Sequence, residues 1–407
     1  MDTKEEQLGL ELEVDWESKE IYLSQLFSPT APILEAEMFS GRKEEMLKLI
    51  DAVFQRGQHA VVFGFRGVGK SSLINTFNVK IMPKAKTAII FPVQCMSDDD
   101  FYEIWARAFD GLKYEGTDKY ISDDIDSAID PHAILKICRT IPISKRPIFV
   151  FDEFDRIDDA DTKERMAETI KLLSDVSPNT TIILAGIADT IQDLLDHHLS
   201  VQRSVRQVEI PKMSPHDIKE IVTKRLTLAG MTITDHALKD INNLSKGMPG
   251  YAQLLGLYSG KEAIKRKSKQ VVDSDVNNCI TKCLEDAGST IREQYANAVQ
   301  STHANSNYEV VLLACASCKQ DEFGRFSASD VIGPLSAFLG RDVILQDFNR
   351  HLKAFASKRG PLLRRKGTQG NYKYAFIEPR MQSYALMTGV KKGAVVFLSE
   401  DSEEDEI

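Results

Sequence analysis

Gly64-Phe65-Arg66-Gly67-Val68-Gly69-Lys70-Ser71 is the stretch of this 407-residue chain whose residue types and spacing define a chemistry. Its pattern is G-x-x-x-x-G-K-S. The glycines let the backbone turn tightly, so that successive N–H groups point at oxyanions. Lys70 supplies a cation for β- and γ-phosphates, and Ser71 supplies a hydroxyl for Mg²⁺. All eight residues, with Ser72 beyond them, are expected to surround the phosphates of a nucleotide. The second constellation is Ile148-Phe149-Val150-Phe151-Asp152-Glu153, an apolar run closed by two acids. Such a strand delivers both carboxylates to the crevice at the carboxyl end of a parallel sheet. Asp152 is expected to hold Mg²⁺ through its water shell, and Glu153 to polarise an attacking water as general base. Asp155 and the Asp158–Asp159 pair are expected to cap the next helix or face solvent.

These groups need elements that hold them. Ala60-Val61-Val62-Phe63 reads as a buried strand before the glycine loop, and Ser71 to Phe77 as a helix after it. From Phe39 to about Lys212 strands and helices alternate, which predicts an α/β fold with a parallel sheet. The expected strands are 59–64, 87–93, 147–152, 181–187 and 206–210, with 113–130 as a surface loop. Residues 213–300 turn helical. Ser214-Pro215 places a cap and then proline at the first helical position, and further helices are expected near 234–245, 250–266 and 274–286. Residues 289–306 read as a polar linker. The segment 301–392 predicts three helices, near 308–319, 328–338 and 344–357, followed by a hairpin of strands 361–365 and 372–377. That order describes a winged helix. Residues 1–38 read as an acidic, partly disordered arm, and 393–407 as an acidic tail.

Composition narrows the class. Hydrophobic content of 43% and charged content of 27% are those of an ordinary globular chain. No apolar run approaches the roughly 18–20 residues of a membrane span, and the first residues lack a secretory pattern. A cytoplasmic protein that does not enter membranes is the expectation. The net charge of −9 is unevenly spread. Residues 1–20 hold eight acids and two bases, whereas Arg341 to Lys392 hold twelve bases and three acids. Of the six cysteines, Cys279/Cys283 and Cys315/Cys318 have helical spacing, which places each pair on one helix face as small hydrophobes rather than as zinc ligands.

Together the two nucleotide motifs resemble the AAA+ and related signal-transduction ATPases. Phe39-Ser40-Gly41-Arg42-Lys43-Glu44-Glu45 is similar to the G-R-x-x-E box of the origin-recognition initiator branch. The resemblance places Gly41 and Arg42 beside the adenine. Ile182 to Asp189 resembles the strand that carries a polar γ-phosphate sensor, with Asp189 where the family usually has Asn. Val201-Gln202-Arg203-Ser204-Val205-Arg206 occupies the place of the family's arginine finger, and Arg203 is preferred over Arg206. A finger requires a neighbouring subunit, so an ATP-bridged homo-oligomer is expected. Lys246-Gly247-Met248-Pro249-Gly250 resembles the G-x-P turn of the lid, with Pro249 next to the nucleotide. Gly250 stands where initiators carry a phosphate-touching arginine, which favours a switch over a motor. The resemblance implies a P-loop ATPase that uses ATP and Mg²⁺, with a helical lid and a C-terminal winged helix.

In a winged helix the third helix reads a groove while the wing meets phosphates. Here that helix and its end offer Gln346, Asn349, Arg350, Lys353, Lys358 and Arg359, and the wing offers Arg364, Arg365, Lys366 and Lys373. Double-stranded DNA is the leading expected partner. Winged helices also dock proteins, so a signalling or defence NTPase that binds a protein partner, or a nucleotide-stabilised scaffold, stays open at this point.

Overall fold

The computed structural model describes residues 15–33, 35–80, 85, 87–114, 116–142, 144–177, 179–188, 199–300, 306–368 and 371–394. Five strands form one parallel sheet: β1 (His59–Phe63), β2 (Ala88–Gln94), β3 (Arg146–Asp152), β4 (Thr181–Gly186) and β5 (Val205–Glu209). Their order is β2-β3-β4-β1-β5. The expected strands therefore stand within a residue of their places. Alternation along each strand divides its side chains between two cores. Ala60, Val62, Ile148 and Val150 pack with Leu73 and Phe77 on one face. Val61, Phe63, Phe149 and Phe151 pack with Trp105 on the other. Burial on both faces is why these strands read as unbroken apolar runs.

Around the sheet lie α2 (Lys43–Phe54), α3 (Lys70–Lys80), α4 (Phe101–Ala108), α5 (Pro131–Thr140) and α6 (Ala160–Val176). The stretch 113–130 is more than a surface loop, because Ile121, Ile125 and Ile129 are buried in the second core.

The arm also departs from expectation. Residues 1–14 are outside the described set, but α1 (Trp16–Leu26) is a helix that packs on the lid. The lid comprises α7 (Pro215–Leu228), α8 (Asp235–Ser245), α9 (Pro249–Lys265) and α10 (Asp273–Glu285), with a short parallel pair, β6 (Thr232–Ile233) and β7 (Gln270–Val271), among them. Leu23 and Phe27 seat on a glycine face of α9. A Cβ added at Gly256 would lie 2.8 Å from the Phe27 ring, and one at Gly260 would lie 2.8 Å from Leu23. Arg225 of α7, fully buried, donates to the carbonyls of Leu26 and Met38 at 3.1 Å each, fastening the segment at both ends.

The expected linker 289–306 begins as a helix, α11 (Ser289–Val299), which buries Ile291, Tyr295 and Ala298. These recur at i, i+4 and i+7, a helical stripe set among polar residues. The C-terminal unit follows as α12 (Tyr308–Ser317), β8 (Arg325–Ser327), α13 (Ala328–Leu339), α14 (Leu345–Phe355), β9 (Leu363–Lys366), β10 (Lys373–Phe376) and α15 (Arg380–Lys391). β10 pairs antiparallel with both β8 and β9, so the expected hairpin carries a third strand, and a final helix follows it. All six cysteines are buried free thiols. Among the described residues no helix is long and apolar enough to cross a membrane.

Candidate functional site

The glycine loop leaves the carboxyl end of β1 and enters α3 at Lys70. Gly64 (φ 147°) passes so close to β5 that a Cβ would meet the Ile210 carbonyl at 2.5 Å. Gly69 (φ 103°) faces open space, with nothing within 4 Å of the position a Cβ would take. The loop is therefore pinned on its β5 side and open at the helix entrance, where backbone N–H groups and the helix dipole act together on an anion.

Lys70 folds back across this loop. Its Nζ donates to the carbonyls of Gly64 at 3.0 Å and Phe65 at 2.9 Å. Burial pushes the ammonium down to about 8, against the attraction of Asp155, Asp152 and Glu153. No carboxylate forms an ion pair with it among the described residues. A largely buried cation held only by carbonyls, beside an open turn of glycine backbone, fits a polyphosphate. Ser71 is partly buried at the second position of α3, and the Ser72 hydroxyl accepts the Ile33 N–H at 3.1 Å. Ser72 is thus engaged by the N-terminal segment.

The acids arrive from β3. β4 lies between β1 and β3, so at about 4.8 Å per strand they stand roughly 10 Å from the loop. Asp152 is partly buried and accepts the Glu153 N–H at 2.9 Å. Glu153 sits in the left-handed region (φ 55°, ψ 35°), which is uncommon for a side chain of its size. Its carboxylate is half exposed and pairs with Arg156 at 2.8 Å. A carboxylate there can order a water once Arg156 releases it. Asp155, expected to cap a helix or face solvent, instead accepts the Ile187 N–H at 2.8 Å and ties the end of β3 to the exit of β4. Asp159 does cap α6, through the Thr162 N–H at 2.9 Å. Asp189 lies outside the described residues.

The lid closes over the loop. Met248 Cε lies 3.3 Å from where a Gly67 Cβ would be, and Pro249 opens α9. At Gly250, a Cβ would meet the Pro29 carbonyl at 2.9 Å. The N-terminal segment therefore occupies the space that an arginine side chain at 250 would need.

Arg42 and Arg203 do not face the open turn of their own chain's loop. Arg42 is buried, with its guanidinium turned onto the protein, namely Glu45, the Val68 carbonyl and the Pro211 carbonyl. It supports the loop rather than reaching toward a base. Arg203 precedes β5, whose first residue pairs with His59 at the far end of β1. At about 3.3 Å per residue that is roughly 16 Å from the loop, beyond the reach of this arginine. Its exposed guanidinium pairs with Asp175 at 3.3 Å. Arg206 contacts Gln55 at 3.4 Å. Sequence reasoning missed Arg156 and the inward turn of Arg42. The i, i+3 spacing of Glu153 and Arg156 was the available signal for the first.

On the C-terminal unit, α14 buries Phe348, His351, Leu352 and Phe355 and leaves Gln346, Arg350 and Lys353 exposed. Arg359 is not part of that surface. It stacks on Tyr308 at 3.7 Å and donates to the Ala298 carbonyl at 2.9 Å. On the hairpin, Lys366 stands opposite Lys373, and Arg365 lies over the Tyr372 ring at 4.3 Å. Arg364 is half-buried, and Arg365, Lys366 and Lys373 are exposed.

A five-stranded parallel sheet with a glycine loop after β1 and paired acids after β3 defines a P-loop NTPase. Residues 33–267, more than half of the chain, match novel STAND NTPase 1 (nSTAND1), and the chain belongs to that family. It is a nucleotide-binding NTPase. Among solved structures it is similar to the Walker-type ATPase PABY2304 of Pyrococcus abyssi. That match has 17% identity, 88% of this chain and 99% of that chain covered, and a TM-score of 0.53. It is also similar to the ORC2 protein of Aeropyrum pernix, solved as ADPNP–ADP complexes, with 13% identity, 91% and 97% covered, and a TM-score of 0.50. At these identities the likeness shows the fold. No curated protein matches the chain.

Proposed function

We propose that this protein is an ATP-driven switch that acts on double-stranded DNA, or on a DNA-bound partner, through its basic C-terminal unit. Its place is the cytoplasm. ATP binds with its phosphates on the loop from Gly64 to Ser71, where Lys70 exchanges two carbonyls for phosphate oxygens. Ser71, and Asp152 through water, would hold Mg²⁺, which would supply charge neutralisation for the phosphates. Glu153, once released by Arg156, orders the attacking water. Arg203 cannot serve its own site and acts on the nucleotide of a neighbouring copy.

The observation that carries the DNA reading is the register of the hairpin. Lys366 and Lys373 are directly opposed, which gathers positive charge on the exposed hairpin. With the exposed cations of α14, they give one unit both a groove-reading face and a phosphate-contacting wing. Family membership favours a second reading, in which the same unit docks a protein.

The experiment is ATP hydrolysis by the full chain with and without duplex DNA. Stimulation by DNA is expected, and indifference transfers the function to the protein-docking reading. In the same assay Arg203→Ala is expected to bind ATP without hydrolysing it. Mixing it with Glu153→Gln should restore part of the activity, because one mixed interface is intact. Full activity of Arg203→Ala alone rules out the finger.

A further inference from the structure

We propose that Arg42 is a positioning residue that aims the Gly69 N–H of the phosphate loop and ties that loop to the exit of β5. The proposal rests on the ATP-site reading above. Gly41 (φ 70°) and Arg42 (φ 61°, ψ 28°) are consecutive residues in the left-handed region. Gly41 has no room for a side chain, since a Cβ would lie 2.6 Å from Asp217 Oδ1. An arginine in this conformation is strained, and such strain persists where surrounding contacts impose it. Here the turn throws the side chain inward, leaving Arg42 6% exposed.

Inside, Nη2 donates to the Val68 carbonyl at 3.2 Å and to the Pro211 carbonyl at 2.5 Å, while Nη1 donates to Glu45 Oε1 at 3.1 Å. In a planar trans peptide the C=O and N–H point in opposite directions. A donor that grips the Val68 oxygen from the protein side therefore turns the Gly69 N–H outward, toward the open turn above α3. Nη2 alone holds both carbonyls, and the pairing of Nη1 with Glu45 fixes the plane of the rigid guanidinium, an orienting contact that a lysine ammonium has no second nitrogen to make.

Pro211 carries the link onward. The next residue, Lys212, donates from Nζ to Gln320 Oε1 at 3.1 Å and Gln382 Oε1 at 2.7 Å, both on the C-terminal unit. Met213 N–H bonds the Gly247 carbonyl of the lid turn at 2.9 Å. A shift of the Val68 peptide when phosphate seats is thus passed to the C-terminal unit through Arg42, Pro211 and Lys212.

The test uses the full chain and titrates fluorescent ATP and ADP analogues. Arg42→Lys keeps the charge but loses the fork, and should weaken both nucleotides by about tenfold, the loss of one charge-assisted hydrogen bond. Glu45→Gln loosens the guanidinium without removing it and should cost about threefold, which keeps the test available if Arg42→Lys fails to fold. Lys212→Met should bind both nucleotides as the wild type does. Hydrogen exchange in 315–320 and 380–384 should change on adding ATP to the wild type, and this change should vanish in Lys212→Met. Lowered stability with unchanged nucleotide affinity in Arg42→Lys and Glu45→Gln overturns the positioning role. Exchange indifferent to ATP in the wild type overturns the link to the C-terminal unit. A wild type that binds neither nucleotide refutes the site reading itself.

Discussion

At the phosphate loop, the groups facing the open turn are backbone N–H groups and one largely buried ammonium, held by Gly64 and Phe65. On the C-terminal unit the cations are long side chains standing in solvent: Arg350, Lys353, Arg365, Lys366 and Lys373. The first arrangement is preorganised and desolvated. Its fixed dipoles act in a medium of low effective dielectric, where each is worth more than in water. The second keeps its hydration and its salt atmosphere, so its attraction is long-ranged, weak per contact and screened. The loop is built to place one triphosphate in one pose. On the proposed function, the basic surface meets a long polyanion whose position along the surface is free to vary.

The largest effect expected from breaking this contrast is at Glu153. Glu153→Gln keeps the shape and the left-handed backbone but loses the base, so turnover should drop by about 10²–10⁴-fold. Nucleotide affinity and the salt dependence of DNA binding should both stay unchanged. Phosphate release and nucleotide titration measure the two sides. Near-normal turnover would leave the carboxylate without a chemical role.

Lys70 comes next. Lys70→Ala should weaken ATP binding by about tenfold or more, which is about 1.4 kcal/mol. The wild type carries a pH signature of its own. Because burial pushes the free ammonium down to about 8, the cation is present below that pH and lost as pH rises through it. Phosphate binds the charged form and raises its pKa. Affinity should therefore be level below pH 8 and fall by up to about tenfold per unit above it. The Lys70→Ala variant should lose this fall. A flat profile for the wild type up to pH 10 would contradict the desolvated-cation account.

The smallest change separates the two regions by salt. Replacing Arg364, Arg365 and Lys366 by alanine should weaken duplex binding similarly across sequences, and reduce the slope of log K against log salt by about 3. ATP affinity should not follow. A triple variant with an unaltered slope moves the DNA contact off the hairpin, and a matching loss of ATP affinity would mean that the two regions are not independent.

Local chemistry was readable along the chain. The loop from Gly64 to Ser71, the strand ending in Asp152 and Glu153, and the five strands of the sheet all follow from short stretches whose apolar runs and turn residues specify their own conformation. The lid helices followed likewise, from the Ser214-Pro215 cap and from helical spacing. Among the elements that escaped, three have signals that are long-range or dilute. β8 is a three-residue strand that exists through pairing with β10. In α11, three buried residues stand among polar ones. In α1 and just after it, the acidic surface masks Leu23 and Phe27, whose burial depends on the glycine face of α9.

Residue types and spacing by themselves determined that this chain carries a nucleotide loop, paired acids and a basic C-terminal hairpin, because each is written within a dozen consecutive residues. The strand order β2-β3-β4-β1-β5 decided what those groups can reach. It set the acids two strands from the loop and put Arg203 at the opposite end of the sheet. Packing decided the rest. Arg42 turns away from the nucleotide crevice because two left-handed residues direct it at the Val68 and Pro211 carbonyls. Gly250 carries no side chain at a place where the Pro29 carbonyl leaves no room for one. Both facts depend on segments far apart in sequence that meet only once the core is formed, and local propensity carries no record of such meetings.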